Sequence, residues 1–489
     1  MMTAISHMLR EAISRHADAG RIAILGPGQP VDYGALATLI DAYAAGFHAW
    51  GVTRGTKVGF VVAKTVDAVA AYFGAMQAGA CSCFIEPQLA PFVIAEQMDA
   101  VGMRHLVVGE ELGDGFATPA FSAKRVRTLA ALVGEGAFVD DTLSADDDAM
   151  LLFTSGSTGK PKGVLLRHGN LVCNAKGVLK HTGVKASDRL LHVMPHYHTN
   201  GVNNQLIVPF LAGAGVILVE RFRAEEAVAL LRDHEATYMT GVPTMYARML
   251  PHVVPTESFP RLRFLRCGSA PITPTLHHQV EAAFGVPLVV SYGLSEASCT
   301  TTMNPPERRK IGTIGTVLDG QELRLFQPST NDEVAAGAEG EIRISGPALM
   351  AGYIGADVEQ PIIDGWLRTG DLGRFDEDGY IAITGRIKDV IIRGGENVSP
   401  ALIEKQLVTH PAIRECCVVG APHADLGEVP VAFVVLNADQ SLDEADIRDF
   451  VKKSLSRIYV PAQFRRLDTL PTNGVGKIDR KVLRDMLVS

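Results

Sequence analysis

Short apolar runs rich in β-branched residues recur along this chain with helical patterns between them. KVGFVVA at 57–63, GVILVE at 215–220 and VPLVVS at 286–291 read as buried strands, and AEEAVALLRDHEA at 224–236 reads as an amphipathic helix. Strands that alternate with helices need crossover connections, so they assemble into largely parallel sheets covered by helices, an α/β architecture. From Gly340 the texture changes to closely spaced EIRI, YIAITG and DVIIRGG, separated by Gly and Asp-Gly turn signals, which predicts a small antiparallel β subdomain. After a boundary near Arg386 to Asp389 a compact α+β unit follows. There Ser399 before Pro400 opens one helix, and Ser441 with Glu444 forms a capping box for another. The expected organisation is a large N-terminal domain of layered sheets and helices over 1–386 and a small C-terminal domain over 387–489.

Composition narrows the function. The 489 residues correspond to roughly three domain equivalents at about 150 residues each. With 46 Lys+Arg against 54 Asp+Glu the net charge is −8, and no basic run stands out, so nothing draws the chain to nucleic acid. The seven cysteines are scattered without a Cys-x-x-Cys, which argues against a disulfide framework or zinc ribbon and fits a reducing cytoplasm. Residues 206–219 form the longest charge-free apolar stretch, shorter than the roughly 18–20 residues of a membrane span. They read as buried structure. The first twenty residues lack the unbroken apolar core of a signal peptide, so no export is expected.

The most informative segment is AMLLFTSGSTGKPKGVLLRH at 149–168, where one strand runs into a loop of three glycines, four hydroxyls and two lysines and returns as a second strand. Glycines let backbone N–H groups converge on an anion, hydroxyls donate further hydrogen bonds, and lysines neutralise charge. This is what a loop needs to cradle a polyphosphate. It is not a Walker A loop, whose glycine spacing differs and which leads into a helix, whereas Val164-Leu165-Leu166 reads as a strand.

The segment resembles the signature loop of adenylate-forming enzymes, the superfamily of acyl-CoA synthetases, peptide-synthetase adenylation domains and firefly luciferase. VVSYGLSEAS at 289–298 is similar to the family's Tyr-Gly-x-Thr-Glu motif. GWLRTGDLGRFDEDGYIAITGRIKD at 365–389 is similar to its Thr-Gly-Asp and Gly-Arg segments, and PTNGVGKIDRKVL at 471–483 to its C-terminal lysine motif. The motifs stand in the family's order, and the resemblance spans about residues 25–484.

The resemblance implies an AMP-forming acyl-CoA synthetase that uses ATP, Mg2+ and coenzyme A on a carboxylic acid. Lys477, Glu296, Thr154 and His198 are the implied catalytic set. Thr154, Ser155, Gly156, Ser157, Thr158, Gly159 and Lys162 would hold the β- and γ-phosphates, and Glu296 would offer Mg2+ a hard oxygen ligand. Gly268, Ser269, Ala270, Ser291, Tyr292, Gly293 and Ser295 would surround the nucleotide, with Asp371 and Arg386 at the ribose. Lys477 would bridge the carboxylate and α-phosphate oxygens. His198, Gly201, Gly268, Gly293 and Leu294 would line the acyl pocket, Lys388 would be the hinge of a mobile C-terminal domain, and Gly394 and Gly395 would flank the thiol channel. The pantetheine arm belongs to free coenzyme A or to a carrier protein, and the sequence leaves both open.

Relatives of this family that activate acetate carry Trp where Gly293 stands, so the glycine predicts an open pocket for a medium-length or bulky, mostly apolar acid. MPHYHTNG holds no Asp to pair with an α-ammonium group, which disfavours an amino-acid substrate. His192 and His196 read as structural rather than as metal ligands, because Pro195 prevents one regular element from presenting them with His198. Cys416-Cys417 in CCVVG reads as core. A hydrolase nucleophile elbow around Ser295 is disfavoured, since the motif ends in Ala297 and SCTTTMNPP is poor helix material. Ser295 for Thr, Ala297-Ser298, Val317 and CSCFIEPQ at 81–88 depart from the family's common pattern without removing a catalytic group.

Overall fold

The computed structural model describes the chain except for residues 1, 2, 27, 28, 123, 155–161, 255–257, 329, 356–358, 395, 439, 473–476 and 489. The apolar runs become the parallel cores of two large sheets. In the first, Leu288–Tyr292, Phe264–Cys267, Tyr238–Gly241, Arg189–His192, Gly215–Leu218 and Ile22–Leu25 lie parallel in that order, with short antiparallel strands at both edges. In the second, Asp148–Thr154, Cys81–Phe84, Lys57–Val61, His105–Val108 and Arg125–Thr128 are parallel, and the hairpin return Lys162–Arg167 and Gly352–Ile354 extend it antiparallel.

Helices Tyr33–Ala49 and Val66–Gln77 supply the apolar layer shared by both sheets. Asp32 and Thr65 cap them by accepting from the Ala35 and Ala68 N–H groups at 2.7 and 3.1 Å. Val66–Gln77 is apolar nearly all round because it is buried nearly all round. A Cβ on its Gly74 would approach the Ile40 carbonyl oxygen to 2.8 Å, so this glycine sets how closely the two helices cross. One continuous apolar cluster, including Phe47, Phe60, Tyr72, Leu190 and Phe210, joins side chains of both sheets.

The antiparallel subdomain is the sheet Glu322–Phe326, Gly340–Ser345, Trp366–Phe375 and Ile362–Ile363, with Ile381–Arg386 paired to Trp366–Phe375. A further sheet contains Ile391–Arg393, Ile413–His423, Gly427–Leu436 and Gln463–Arg466, and its apolar faces bury Cys416 and Cys417 as unbonded thiols. Ser399 caps helix Pro400–Leu407 as expected. The second cap is different: helix Glu444–Ser454 starts after Asp443, whose carboxylate accepts from the Ala445 and Asp446 N–H groups, and Ser441 lies outside it. A carboxylate caps as well as a hydroxyl and adds a favourable charge at the helix N-terminus. Residues 206–219 are mostly buried, with Leu211, Ala212 and Val219 partly exposed: a π-helical turn Asn200–Ile207 continues into Val208–Ala212 and then strand Gly215–Leu218. Among the described residues no helix is long and apolar enough to cross a membrane.

Candidate active site

Strands Asp148–Thr154 and Lys162–Arg167 pair antiparallel, with Thr154 opposite Lys162 in register. Ser155, Gly156, Ser157, Thr158 and Gly159 fall outside the described residues. Their flanks carry a clear chemical signature. Thr154 Oγ1 is buried with no hydrogen-bond partner among the described residues, which is costly unless a ligand supplies one. Lys162 Nζ lies 3.7 Å from the centroid of the Tyr353 ring, and the Tyr353 hydroxyl donates to Glu296 Oε1 at 2.6 Å. Burial and the Glu296 charge push that phenol well above its ordinary pKa. Beside it, Ser295 Oγ is 2.7 Å from Thr199 Oγ1. Tyr353 is absent from the sequence reading, because a three-residue strand gives no periodic signal and its pairing with Lys162–Arg167 spans a long separation.

A second cluster centres on Asp371, which is 2% exposed. Its Oδ2 accepts from the Tyr292 hydroxyl at 2.7 Å and its Oδ1 pairs with Arg386 Nε at 2.6 Å. The antiparallel register that sets Asp371 opposite Arg386 makes the second contact. Lys477 joins this cluster from the C-terminal segment. Its pKa is lowered because surrounding protein displaces water and Arg386 repels it, while Asp371 pulls the other way. Burial, and after it the Lys477 ammonium, pushes His198 down to about 4, so His198 is a neutral imidazole at pH 7. Its Nε2 is buried without a partner among the described residues.

Close backbone approaches shape the segments that the sequence assigns to an acyl pocket. Ser269 holds φ at +67°, a left-handed conformation rare for a residue with a Cβ, directly after Gly268. A Cβ on Gly268 would sit 3.0 Å from Ser291 Oγ, and one on Gly201 would collide with the Pro195 carbonyl oxygen. Ala270 follows in the same turn after strand Phe264–Cys267. Gly293 corrects the sequence expectation: its missing side chain faces the backbone of Cys299 and Thr300, not an open pocket. Leu294 packs against the apolar cluster of the antiparallel sheet. His192 and His196 are fully buried and held well below the ordinary imidazole pKa, His192 Nε2 meeting the Gly201 carbonyl at 2.9 Å. Among the described residues no group of three His, Cys, Asp or Glu could hold a metal ion by itself. Lys64, also absent from the sequence reading, donates to the His192 and Met194 carbonyls at 3.2 and 3.0 Å, and burial pushes it down to about 7.

Lys388 sits in the short 3₁₀ turn Ile387–Asp389. Gly394 takes φ +59° and donates its N–H to Leu426, while Gly395 falls outside the described residues. Asp389 pairs with Arg484 at 2.7 Å, and Arg480 grips Glu404 through two bonds of 2.8 and 3.0 Å, tying the last helix to this segment.

The profile of AMP-binding enzymes matches residues 9–354, and that of the AMP-binding enzyme C-terminal domain matches 402–477. The chain belongs to the AMP-binding enzyme family. Among its relatives in that AMP-binding enzyme family, the feruloyl-CoA synthase of Amycolatopsis sp is 32% identical over 96% of both chains. The sulfoacetate–CoA ligase of Cupriavidus necator is 37% identical over 68% of this chain and 66% of that protein. The 2-succinylbenzoate–CoA ligase of Bacillus cereus is 32% identical over 89% of this chain and 90% of its own length. The fold matches the crystal structure of ATP-bound MatB from Rhodopseudomonas palustris with a TM-score of 0.91 at 29% identity over 98% of both chains. It matches the o-succinylbenzoate coenzyme A synthetase of Bacillus subtilis in complex with ATP and magnesium ion with a TM-score of 0.83, at 27% identity over 98% and 99%.

Proposed function

We propose that this AMP-binding acid–thiol ligase joins a carboxylic acid to coenzyme A in two half-reactions at one site. In the first, a carboxylate oxygen attacks the α-phosphorus of ATP and the bond to the bridging oxygen breaks, so pyrophosphate leaves with the electron pair. In the second, the thiol sulfur attacks the acyl carbon, the thiol proton passes to solvent, and AMP departs. The observation that carries this reading is the convergence of Lys477, the paired Asp371 and Arg386, and His198 from three distant stretches of chain. Lys477 places a cation where charge moves from carboxylate to phosphate, and neutral His198 bounds the acid without competing for a proton. The orphaned Thr154 hydroxyl and Lys162 suit the triphosphate, with the loop between them. Asp371 suits the ribose hydroxyls.

The residues present also fit a magnesium ion that arrives with the triphosphate, since such an ion needs only one or two protein carboxylates. Glu296 is the carboxylate placed to supply one, and the ion would spread the charge of the leaving pyrophosphate. Tyr353→Phe should free the Glu296 carboxylate from its donor and lower kcat/KM for MgATP by about 10-fold or more, the scale of a lost charged hydrogen bond. Steady-state kinetics at varied MgATP checks this, and an unchanged value would remove Tyr353 from the site.

We further propose that residues 1–386 and 387–489 act as two bodies that turn about Lys388 between the half-reactions. Lys388→Pro fixes φ and deletes an N–H, so thioester formation should fall more than adenylation in single-turnover assays. The acceptor is assigned to free coenzyme A because the relatives above are named CoA ligases or synthases. The deciding experiment is ATP–pyrophosphate exchange that requires an added acid, followed by thioester formation on coenzyme A. Exchange with no acid tested would overturn the reading, and transfer only to a pantetheinylated carrier protein would overturn the acceptor.

A further inference from the structure

Strand Phe264–Cys267 carries an arginine into the interior one residue pair before Gly268. Arg266 is 4% exposed, and its Nε and Nη2 donate to Ser291 Oγ at 3.0 Å and Thr300 Oγ1 at 2.6 Å. Among the described residues no carboxylate pairs with it. The ionisable groups that bear on the guanidinium include Cys299, Tyr238, Tyr246 and His181. Burial raises the pKa of the thiol and the two phenols and lowers that of the imidazole, so none of the four brings it a negative charge at pH 7. An uncompensated buried cation is expensive, and native interiors tolerate one chiefly where a counter-ion arrives.

The surroundings are polar and adjoin the acid side of the site. Ser291 directly precedes Tyr292 and lies against Gly268. Asn204 Nδ2 reaches Cys299 Sγ at 2.9 Å and Thr300 Oγ1 at 3.2 Å, while the amide oxygens of Asn203 and Asn204 are buried with no partner among the described residues. These asparagines stand on the π-helical turn that begins just after His198. An apolar acyl chain would leave these polar groups unmatched.

From this geometry we infer that the acid carries a second anionic group, a carboxylate or a sulfonate, which binds Arg266 while the first carboxyl is adenylated. Arg266 is then a specificity-determining residue of the same site, and the inference rests on the ligase reading above. It replaces the mostly apolar acid suggested by Gly293.

The test compares acids matched in length and shape that differ in the second anion: butyrate with succinate, valerate with glutarate, benzoate with phthalate. Wild-type enzyme should favour the dianionic member of at least one pair by about 30-fold or more in kcat/KM for pyrophosphate release, the scale of a buried charge pair. Arg266→Met should collapse that preference to near unity, and Arg266→Lys should restore part of it. If the methionine variant does not fold, the wild-type comparison alone decides. Turnover of the monocarboxylates with no preference for any dianion would overturn this inference and leave the ligase intact. Failure of every acid would instead overturn the ligase reading, and this inference with it.

Discussion

Lys477→Ala should lower acyl-adenylate formation by about 10²- to 10³-fold, the scale set by removal of one preorganised charge donor at a reacting oxygen. Thioester formation from supplied acyl-AMP should survive, because a cation that bridges carboxylate and phosphate serves only the first step. ATP–pyrophosphate exchange and single-turnover transfer to coenzyme A separate the two, and an equal loss in both would refute the division of labour. The pH profile offers a second readout. Protein contact and Arg386 hold the Lys477 pKa below its ordinary 10.5, so the ammonium is lost at a lower pH than on a free lysine. Adenylation should therefore decline on the alkaline side before pH 10.5 is reached, and Lys477→Arg should move that decline upward, since a guanidinium stays charged.

Gly293→Ala should destabilise the protein by about 1–3 kcal/mol or more, the cost of forcing a carbon into filled space. The added Cβ meets the Cys299 carbonyl, and the neighbouring turn is already strained, with Ser298 at φ +58° and Cys299 at +104°. Denaturant unfolding of the alanine variant measures this directly. If the glycine instead left room for an acyl chain, the alanine variant would keep wild-type stability and merely shift its preference toward shorter acids.

Much of the architecture is legible in the sequence because its signals are local. Apolar runs, helical spacing and the glycine-rich hairpin each act within about twenty residues, and the strands at Lys57–Val61, Gly215–Leu218 and Leu288–Tyr292 appear where their patterns place them. The site is legible only in part, since its geometry comes from long-range pairing. Tyr353 reaches Glu296 because a three-residue strand joins the hairpin edge, and Lys64 braces the carbonyls of His192 and Met194 from a different sheet. Neither leaves a periodic trace. Gly293 shows the opposite hazard, in which a residue type read as empty space is required by backbone passing behind it. At the C-terminal helix the error is smaller: Ser441 and Asp443 are both competent caps, and two residues of offset decide between them.

Both oxygens of Asp371 are already engaged, one by Tyr292 and the other by Arg386. Under the proposed reading, a ribose at this carboxylate would exchange one set of hydrogen bonds for another, so the sugar would add little net grip. If Asp371 holds the ribose as proposed, AMP left after each turnover would give way to the Tyr292 and Arg386 contacts already poised to replace it, which would keep the spent nucleotide from becoming an inhibitor.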